Sequence, residues 1–309
     1  MQNTGGKTKS KIKTVFITVI ASVLFIFTLF ITFGKSFGAP SWSDVYSLFG
    51  VSENLNADFS ASFLSVGNAD ACFIQCGDKN LVIDTGLRAD YDKLSSFFHR
   101  HNITHFDAMI LSHADSDHIG GASDLLDEFS VDTIYMPQIP SEQLPNSVEY
   151  SNLVNSVKKN NLDVTYPEFE ENMAIGDLSI EFIMPDKVYD NINDNSLVFK
   201  LAYKDNSFLF TGDISSKVEE DMINSGEKLK SDVLKAAHHG SKTSSSEEFL
   251  SAVSPKITVV SSGKSNGSLP DYTTMARLNK FSSELYSTAD DKTVVITSDG
   301  NNLKVYTGY

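Results

Sequence analysis

Apolar and polar positions along this chain follow two periods, near 2 and near 3.6 residues, in an ordered alternation. The runs "ASFLSV", "ACFIQC" and "NLVIDTG" are short, β-rich and separated by turn residues, so they read as strands. "YDKLSSFFHRH" has helical spacing, "FDAMILS" is a buried strand, and a helix begins in "GGASDLLDEF". A strand "VDTIYM", a helix through "YSNLVNSVKKN" and strands near "DVTYP" and "LSIEFIM" complete the first half. The second half repeats this grammar. Strands "SLVFKLAY" and "SFLFTGD" precede a helix in "SSKVEEDMI" and the strand "DVLKAA". A helix in "SEEFLSAV", the strand "KITVVSS", a helix in "YTTMARLNKF" and strands "TVVITS" and "LKVYT" close the chain. Two mixed sheets, each covered by helices on one side, stack as a four-layer αββα sandwich of the α/β class. No Pro/Gly/Ser-rich break interrupts residues 58–309, which therefore read as one domain.

The N-terminus breaks this pattern. Residues 1–13 are polar with Lys7, Lys9, Lys11 and Lys13, and Thr14–Phe33 carries no charge. A helix of that length spans the ~30 Å hydrocarbon core, and lysines preceding it keep their side inside. The expectation is a retained transmembrane anchor over 14–34, a cytoplasmic segment 1–13 and a juxtamembrane connector 35–57. A cleaved signal peptide fits less well, because its apolar core is usually ~7–15 residues and "FGAP" puts proline after the small residue. The domain 58–309 would then face the outside of a cell membrane crossed once. No protein partner is implied.

Charge sharpens this picture. Of 25 Lys and Arg, five lie at or before Lys35, so the remaining 20 face 40 acids, a net charge near −20. Such a surface repels polyanions. Cys72 and Cys76 share one face of a strand at roughly 13 Å, too far for a disulfide, and read as buried small hydrophobes.

Candidate chemistry is concentrated in "LSHADSDHIGG", with His113, Asp115, Asp117 and His118 directly after an apolar strand. A solvated turn accounts for the acids but not the histidines. A calcium loop counted from Asp115 fails, because Ile119 and Leu126 fall at its fifth and twelfth positions, where oxygen ligands are needed. A helix cap would use one aspartate and leave three groups unexplained. In a loop leaving the strand, alternation points the first groups to one side and the Asp-His step turns a ligand to the other, which serves two adjacent cations. Gly120 and Gly121 let the backbone turn sharply afterwards.

This loop resembles the His-x-His-x-Asp-His signature of the metallo-β-lactamase superfamily, with Asp115 in place of the second histidine. That variant is similar to the C-terminal domain of the ComEC competence (DNA-uptake) family, and the likeness covers residues 59 to about 298. "SVGNADACFIQCGDKNLVIDTG", "NDNSLVFKLAYKDNSFLFTGDI" and "DVLKAAHHGSKTSSSEEFL" resemble that family's opening strands, middle hairpin and late strand-loop-helix. The resemblance implies the metallo-β-lactamase sandwich. It also implies two divalent ions, one held by His113 and Asp115, the other by Asp117 and His118, with Asp213 bridging. Asp84 would orient the metal loop from behind, and Asn195 would occupy the place of a histidine common in the superfamily. His238 and His239 end the strand "DVLKAA". Adjacent strand residues face opposite ways, so one points inward to ligate or protonate a leaving group, with His238 slightly favoured. The chain departs from the pattern at Leu269, where a histidine is common and where leucine can neither bind metal nor move a proton.

Two such cations can share a bridging hydroxide and polarise a phosphoryl or carbonyl oxygen. Asp115 makes the donor set rich in oxygen, which shifts preference from Zn²⁺ toward Mn²⁺. Ser241 and Lys242, ahead of a Ser-x-x-Glu helix start at Ser245 and Glu248, suit a phosphate. With Asp117, His238 and His239 as catalytic candidates, the expected activity is hydrolysis of a phosphodiester in nucleic acid, a nucleotide or the cell wall. A hydrolase of another ester or lactam, or a non-catalytic metal-binding module, is the alternative.

Overall fold

The computed structural model describes residues 17–30, 57–264 and 269–308. The chain divides into two compact units, the larger taking in residues 54–99 and 103–309. The smaller contains a helix over residues 17–30, all exposed, with apolar side chains such as Val23, Leu24 and Phe25. At 1.5 Å per residue it covers about 21 Å. No helix among the described residues is long and apolar enough to cross a membrane. The expected anchor over 14–34 is thus described only in its middle. Segment 1–13 and the expected connector up to residue 56 lie outside the described residues.

The larger unit holds fifteen strands among the described residues, in two sheets. The first takes β1 (Phe59–Phe63), β2 (Cys72–Cys76), β3 (Lys79–Ile83), β4 (His105–Ile110), β5 (Ser130–Tyr135) and β6 (Val164–Thr165). The second takes β7 (Asn172–Ile175), β8 (Leu178–Phe182), β9 (Phe199–Tyr203), β10 (Asn206–Phe210), β11 (Val233–Lys235), β12 (Ile257–Val260) and β13 (Glu284–Ser287). β14 (Val294–Ser298) and β15 (Leu303–Tyr306) return to the first sheet, where β14 pairs with β1. Each half begins antiparallel and becomes parallel: β3 to β6 in one sheet, β10 to β13 in the other. Parallel neighbours need long crossovers, and the helices supply them.

Pleat alternation sorts the side chains into three cores. Phe59, Phe63, Ile74, Phe182, Phe199 and Phe208 fill the space between the sheets, with Phe59 stacked on Tyr203 at 5.0 Å. Phe73, Phe98, Phe106 and Leu125 form a second core on the outer face of the first sheet, and Leu209, Leu234, Phe249 and Leu278 a third outside the second sheet. The four αββα layers follow from those three cores. Cys72 and Cys76 both face the central core as free thiols, as their spacing requires. The parallel strands β3, β4, β10, β11 and β12 all deliver their following loops to one edge of the sandwich. There the Leu197 N–H donates to Ser112 O at 2.7 Å and ties the two sheets together.

Candidate metal centre

The edge where those loops meet collects the charged and imidazole side chains. β3 ends at Ile83, and Asp84 turns the chain with a left-handed φ of 56°. Its carboxylate accepts the Ser112 N–H and the Ser112 hydroxyl, both at 2.7 Å, and the His118 Nδ1–H at 2.9 Å. β4 delivers Ser112 and His113, and the motif then coils into a one-turn helix, Ser116–Ile119. Asp115 is therefore the residue before a helix, and Asp117 and His118 lie within it rather than in an extended loop. Gly120 makes the close approach possible. A Cβ there would meet Ser116 O, Arg88 N and Gly86 O at 2.4 to 2.7 Å.

Hydrogen-bond chemistry fixes three imidazoles. A carboxylate can only accept, so His118 carries its proton on Nδ1. The His239 Nδ1–H donates to Ser261 O at 3.0 Å, since a carbonyl likewise only accepts. Ser112 gives its single hydroxyl proton to Asp84, so it accepts from His113 Nδ1 at 3.1 Å. In its neutral form each ring then keeps a lone pair on Nε2. The Nε2 atoms of His113, His118 and His239 and the Oδ1 of Asp213 are buried and have no hydrogen-bond partner. Buried polar atoms are rarely left so. His118 Nε2 lies 3.3 Å from Asp213 Oδ1, and His239 Nε2 lies 3.4 Å from Asp117 Oδ2 and 3.7 Å from Asp213 Oδ2. Donor atoms of His113, His118 and Asp213 lie within 4.8 Å of one another, as do those of Asp117, His118 and His239. Lone pairs that converge from buried groups without partners fit divalent cations.

The electrostatics agree. Burial, aided by the neighbouring His118 charge, pushes His113 down to about 3, so it presents a neutral ring. Burial opposes ionisation of Asp213, but the imidazolium charges of His118 and His239 more than offset it and hold the carboxyl well below its ordinary range. His118 moves the other way, well above its ordinary value, because Asp213 and Asp84 outweigh its burial. The carboxylates that draw protons onto His118 would equally draw a divalent ion to the same Nε2 side.

Other expected residues fall around this centre. Asp115, with its side chain 41% exposed, brings Oδ2 to 3.8 Å from His113 Nε2. His238 and His239 do not end a strand, because β11 stops at Lys235 and both histidines adopt left-handed φ near 50°. The turn aims both rings at Asp213, His238 Nε2 lying 3.7 Å from Oδ2 with its side chain 31% exposed. Both rings thus face the site, where strand alternation predicts one with His238 favoured, and His239 is the more deeply buried of the two. Asn195 does not join the cluster. Its amide donates to Gln143 Oε1 and Tyr189 O and accepts the Tyr189 N–H, which locks its own loop. Its neighbour Ser196 accepts the Asp213 N–H at 3.2 Å and, with Asn195, lines an adjoining cavity of about 760 Å³.

The helix start expected beyond Ser241 and Lys242 is built differently. Lys242 is exposed, the helix starts at Glu247 after the cap Ser246, and the N–H groups of Ser245 and Ser246 donate to the buried Glu219 carboxylate at 2.5 and 2.8 Å. An internal carboxyl group thus already takes the N–H groups of that helix start. Leu269 precedes Pro270, which packs on Gly240, and the Asp271 N–H donates to Gly240 O at 2.9 Å, so this loop braces the His-His-Gly turn. Two buried charges, Asp70 and Lys235, escape the sequence reading. Their only signal is a charged residue interrupting an apolar run, in "NADACF" and in "DVLKAA".

A family model described as "Metallo-beta-lactamase superfamily" matches residues 64–264. The chain is 31% identical to "Recombination protein 2" of Haemophilus influenzae over 236 residues, 73% of this chain and 27% of that protein. It is 28% identical to "ComE operon protein 3" of Bacillus subtilis over 232 residues, 69% of this chain and 29% of that protein. "Competence protein ComA" of Neisseria gonorrhoeae is 30% identical over 212 residues, 65% and 26% respectively. The match thus spans under a third of the length of these relatives. Among solved structures, the metallo-beta-lactamase fold protein YhfI from Bacillus subtilis aligns with a TM-score of 0.51 at 14% identity, covering 81% of this chain and all of that one. That likeness concerns the fold alone.

Proposed function

The chain belongs to the metallo-beta-lactamase superfamily, and from that premise we propose that it is a metal-dependent phosphodiesterase. The observation that carries the proposal is the set of partnerless buried Nε2 atoms around Asp213. In this reading His113, Asp115 and Asp213 hold one divalent ion, and Asp117, His118, His239 and Asp213 hold the second. Asp115 and Asp117 make the donors rich in oxygen, which favours Mn²⁺ alongside Zn²⁺. Ions held by these residues would supply Lewis acidity, both to activate a water and to polarise the scissile oxygen. The chain's own contribution is to orient. Asp84 fixes the His118 tautomer, Ser261 O fixes that of His239, and the Asp213 loop is held by Ser196. His238, partly exposed beside Asp213, is the side chain placed to pass a proton to the departing oxygen.

Likeness to proteins named for competence and recombination supports a nucleic-acid or nucleotide phosphodiester, with a cell-wall phosphodiester as the competing source. The proposal includes a membrane anchor over 14–34 with the domain outside. The uncharged run, the lysines preceding it and the exposed apolar helix at 17–30 support it. A metal-loaded but non-hydrolytic surface module is the second reading, favoured by Leu269 where the family commonly has histidine.

The full chain in detergent should cleave bis(p-nitrophenyl) phosphate or single-stranded DNA with added Mn²⁺. Asp117→Ala and Asp213→Ala should each lower kcat/KM by more than about 100-fold while the thermal transition in EDTA stays intact. Unchanged activity in both variants removes the mechanism. Bound metal without turnover of any phosphodiester, lactam or thioester favours the module. Protease added to intact cells should release the domain, and protection would remove the outward topology.

A further inference from the structure

Two charged side chains beside the cluster have no part in the mechanism above, yet both are buried. Asp70 follows β1 in the turn to β2 and is 5% exposed, and Lys235, the last residue of β11, is equally buried. Lys235 Nζ lies 2.6 Å from Asp70 Oδ2 and donates to Ala236 O at 2.9 Å. The pair therefore bridges the two sheets immediately behind the metal cluster. Stability does not explain it, because a buried ion pair is commonly no better than apolar side chains of the same volume.

What Asp70 touches suggests another role. Its Oδ1 has no hydrogen-bond partner and lies 3.5 Å from His239 Nδ1, and its Oδ2 lies 4.0 Å from His118 Nδ1. Through the backbone, the Asp70 N–H donates to Asp117 O at 3.1 Å, and Asp70 O accepts the Gly86 N–H at 2.8 Å. One residue thus meets Asp117 through its main chain and both His118 and His239 through its side chain. Those are the three groups gathered around one prospective ion. The His239 Nδ1–H is given to Ser261 O, so Asp70 acts on that ring through its charge: a carboxylate 3.5 Å from Nδ1 favours a proton there and raises the donor strength of Nε2. Left alone, such a carboxylate could swing toward a cation itself, since donor atoms of Asp70, Asp84 and His118 also come within 4.8 Å of one another. The Lys235 ammonium is an internal cation that holds Oδ2 and leaves only Oδ1 facing the ring.

We infer that Asp70 and Lys235 are a positioning pair that presents His239 and Asp117 to the second ion, so that affinity for that ion depends on the pair more than folding does. This rests on the reading that the cluster binds divalent ions. Neither residue touches the reacting atoms.

The test uses the full chain, wild type beside Asp70→Asn and the double replacement Asp70→Asn/Lys235→Met. The first is isosteric. The second removes both charges, so no unpaired buried charge remains. Chelator competition with Zn²⁺ or Mn²⁺ gives the affinity for each ion, thermal unfolding in EDTA gives stability, and the ¹⁵N shifts of His239 report its tautomer and ligation. Both variants should bind one ion normally and the other about 10–100-fold more weakly, with His239 the ring whose shifts change. The double replacement should be no worse than the single, because the pair acts as a unit. Wild-type affinity for both ions in a folded variant overturns the inference. So does a lowered unfolding midpoint with unchanged affinity, which would mark the pair as purely structural. If the wild type itself binds no ion, the functional reading fails, and that result is told apart by the wild-type arm alone.

Discussion

At the scale of single residues, two carboxylates make the same contact with opposite consequences. Asp299, in the turn between β14 and β15, accepts the N–H groups of Asn302 at 2.7 Å and Asn301 at 2.9 Å. It is in water, so these bonds pull its pKa down, that of Asn302 foremost, to about 2. Glu219 accepts two N–H groups as well, but burial outweighs them and its carboxyl is raised. The signs follow. A depressed carboxyl adds stability above its unfolded pKa and loses it as pH falls through the folded value, whereas a raised one adds stability at low pH and loses it as pH rises. Asp299 should thus titrate by NMR near pH 2, and Asp299→Asn should remove part of the stability loss seen between about pH 4 and pH 2. Titration near pH 4 would show that the turn bonds are not formed in solution. Glu219 also shows what the phosphate reading of Ser241 and Lys242 leaves out of the helix start that follows them. Local sequence gives a polar helix start, but the carboxyl group that fills it comes from a helix formed 26 residues earlier than Ser245.

At the scale of elements, the metal loop depends on two segments lying in backbone contact. The Thr85 N–H donates to His118 O at 2.7 Å, and Gly121 N–H donates to Gly86 O at 3.2 Å. Gly120 lies within this contact with main-chain atoms as the nearest three neighbours of a Cβ placed there, so a methyl group would press on backbone rather than on a flexible side chain. Gly120→Ala should lower stability by about 3 kcal/mol, some 6–12 °C in Tm for a chain of this size, and reduce bound metal. An unchanged Tm with full metal content would mean that the loop relaxes. The glycine pair is legible in the sequence as a turn, and the residue types His113, Asp117, His118 and Asp213 are legible as donors. The one-turn helix over the motif is not, because its four residues carry no periodic signal. Nor is the left-handed turn that points both His238 and His239 inward. Strand alternation predicts opposite directions for neighbours, and positive φ at two consecutive residues cancels that rule. Asp70 and Lys235 pair across sheets that the sequence cannot yet bring together.

At the scale of the whole molecule, charge would select among the phosphodiester substrates proposed above. Beyond Lys35 the 20 basic residues face 40 acids. The cavity beside the cluster repeats this bias, with Glu168, Asp186 and Asp194 against Lys187, whose ammonium already pairs with Asp221. A protein that follows a nucleic-acid backbone displaces counterions and loses affinity as salt rises. Here the opposite slope is expected. A long polyanion is repelled by the domain as a whole, and salt screens that repulsion as the Debye length shrinks from about 30 Å at 0.01 M to about 8 Å at 0.15 M. The kcat/KM for single-stranded DNA should therefore rise about tenfold between those ionic strengths. That for bis(p-nitrophenyl) phosphate, which carries one charge and senses only the local site, should change less than about twofold. A rate on DNA that falls with salt would reveal a cationic track that overrides the net charge, and it would shift the assignment toward a dedicated nuclease. A rise confined to DNA would instead favour short phosphodiesters of low charge as the substrates this surface admits, because they reach the cluster with the least repulsion from its field.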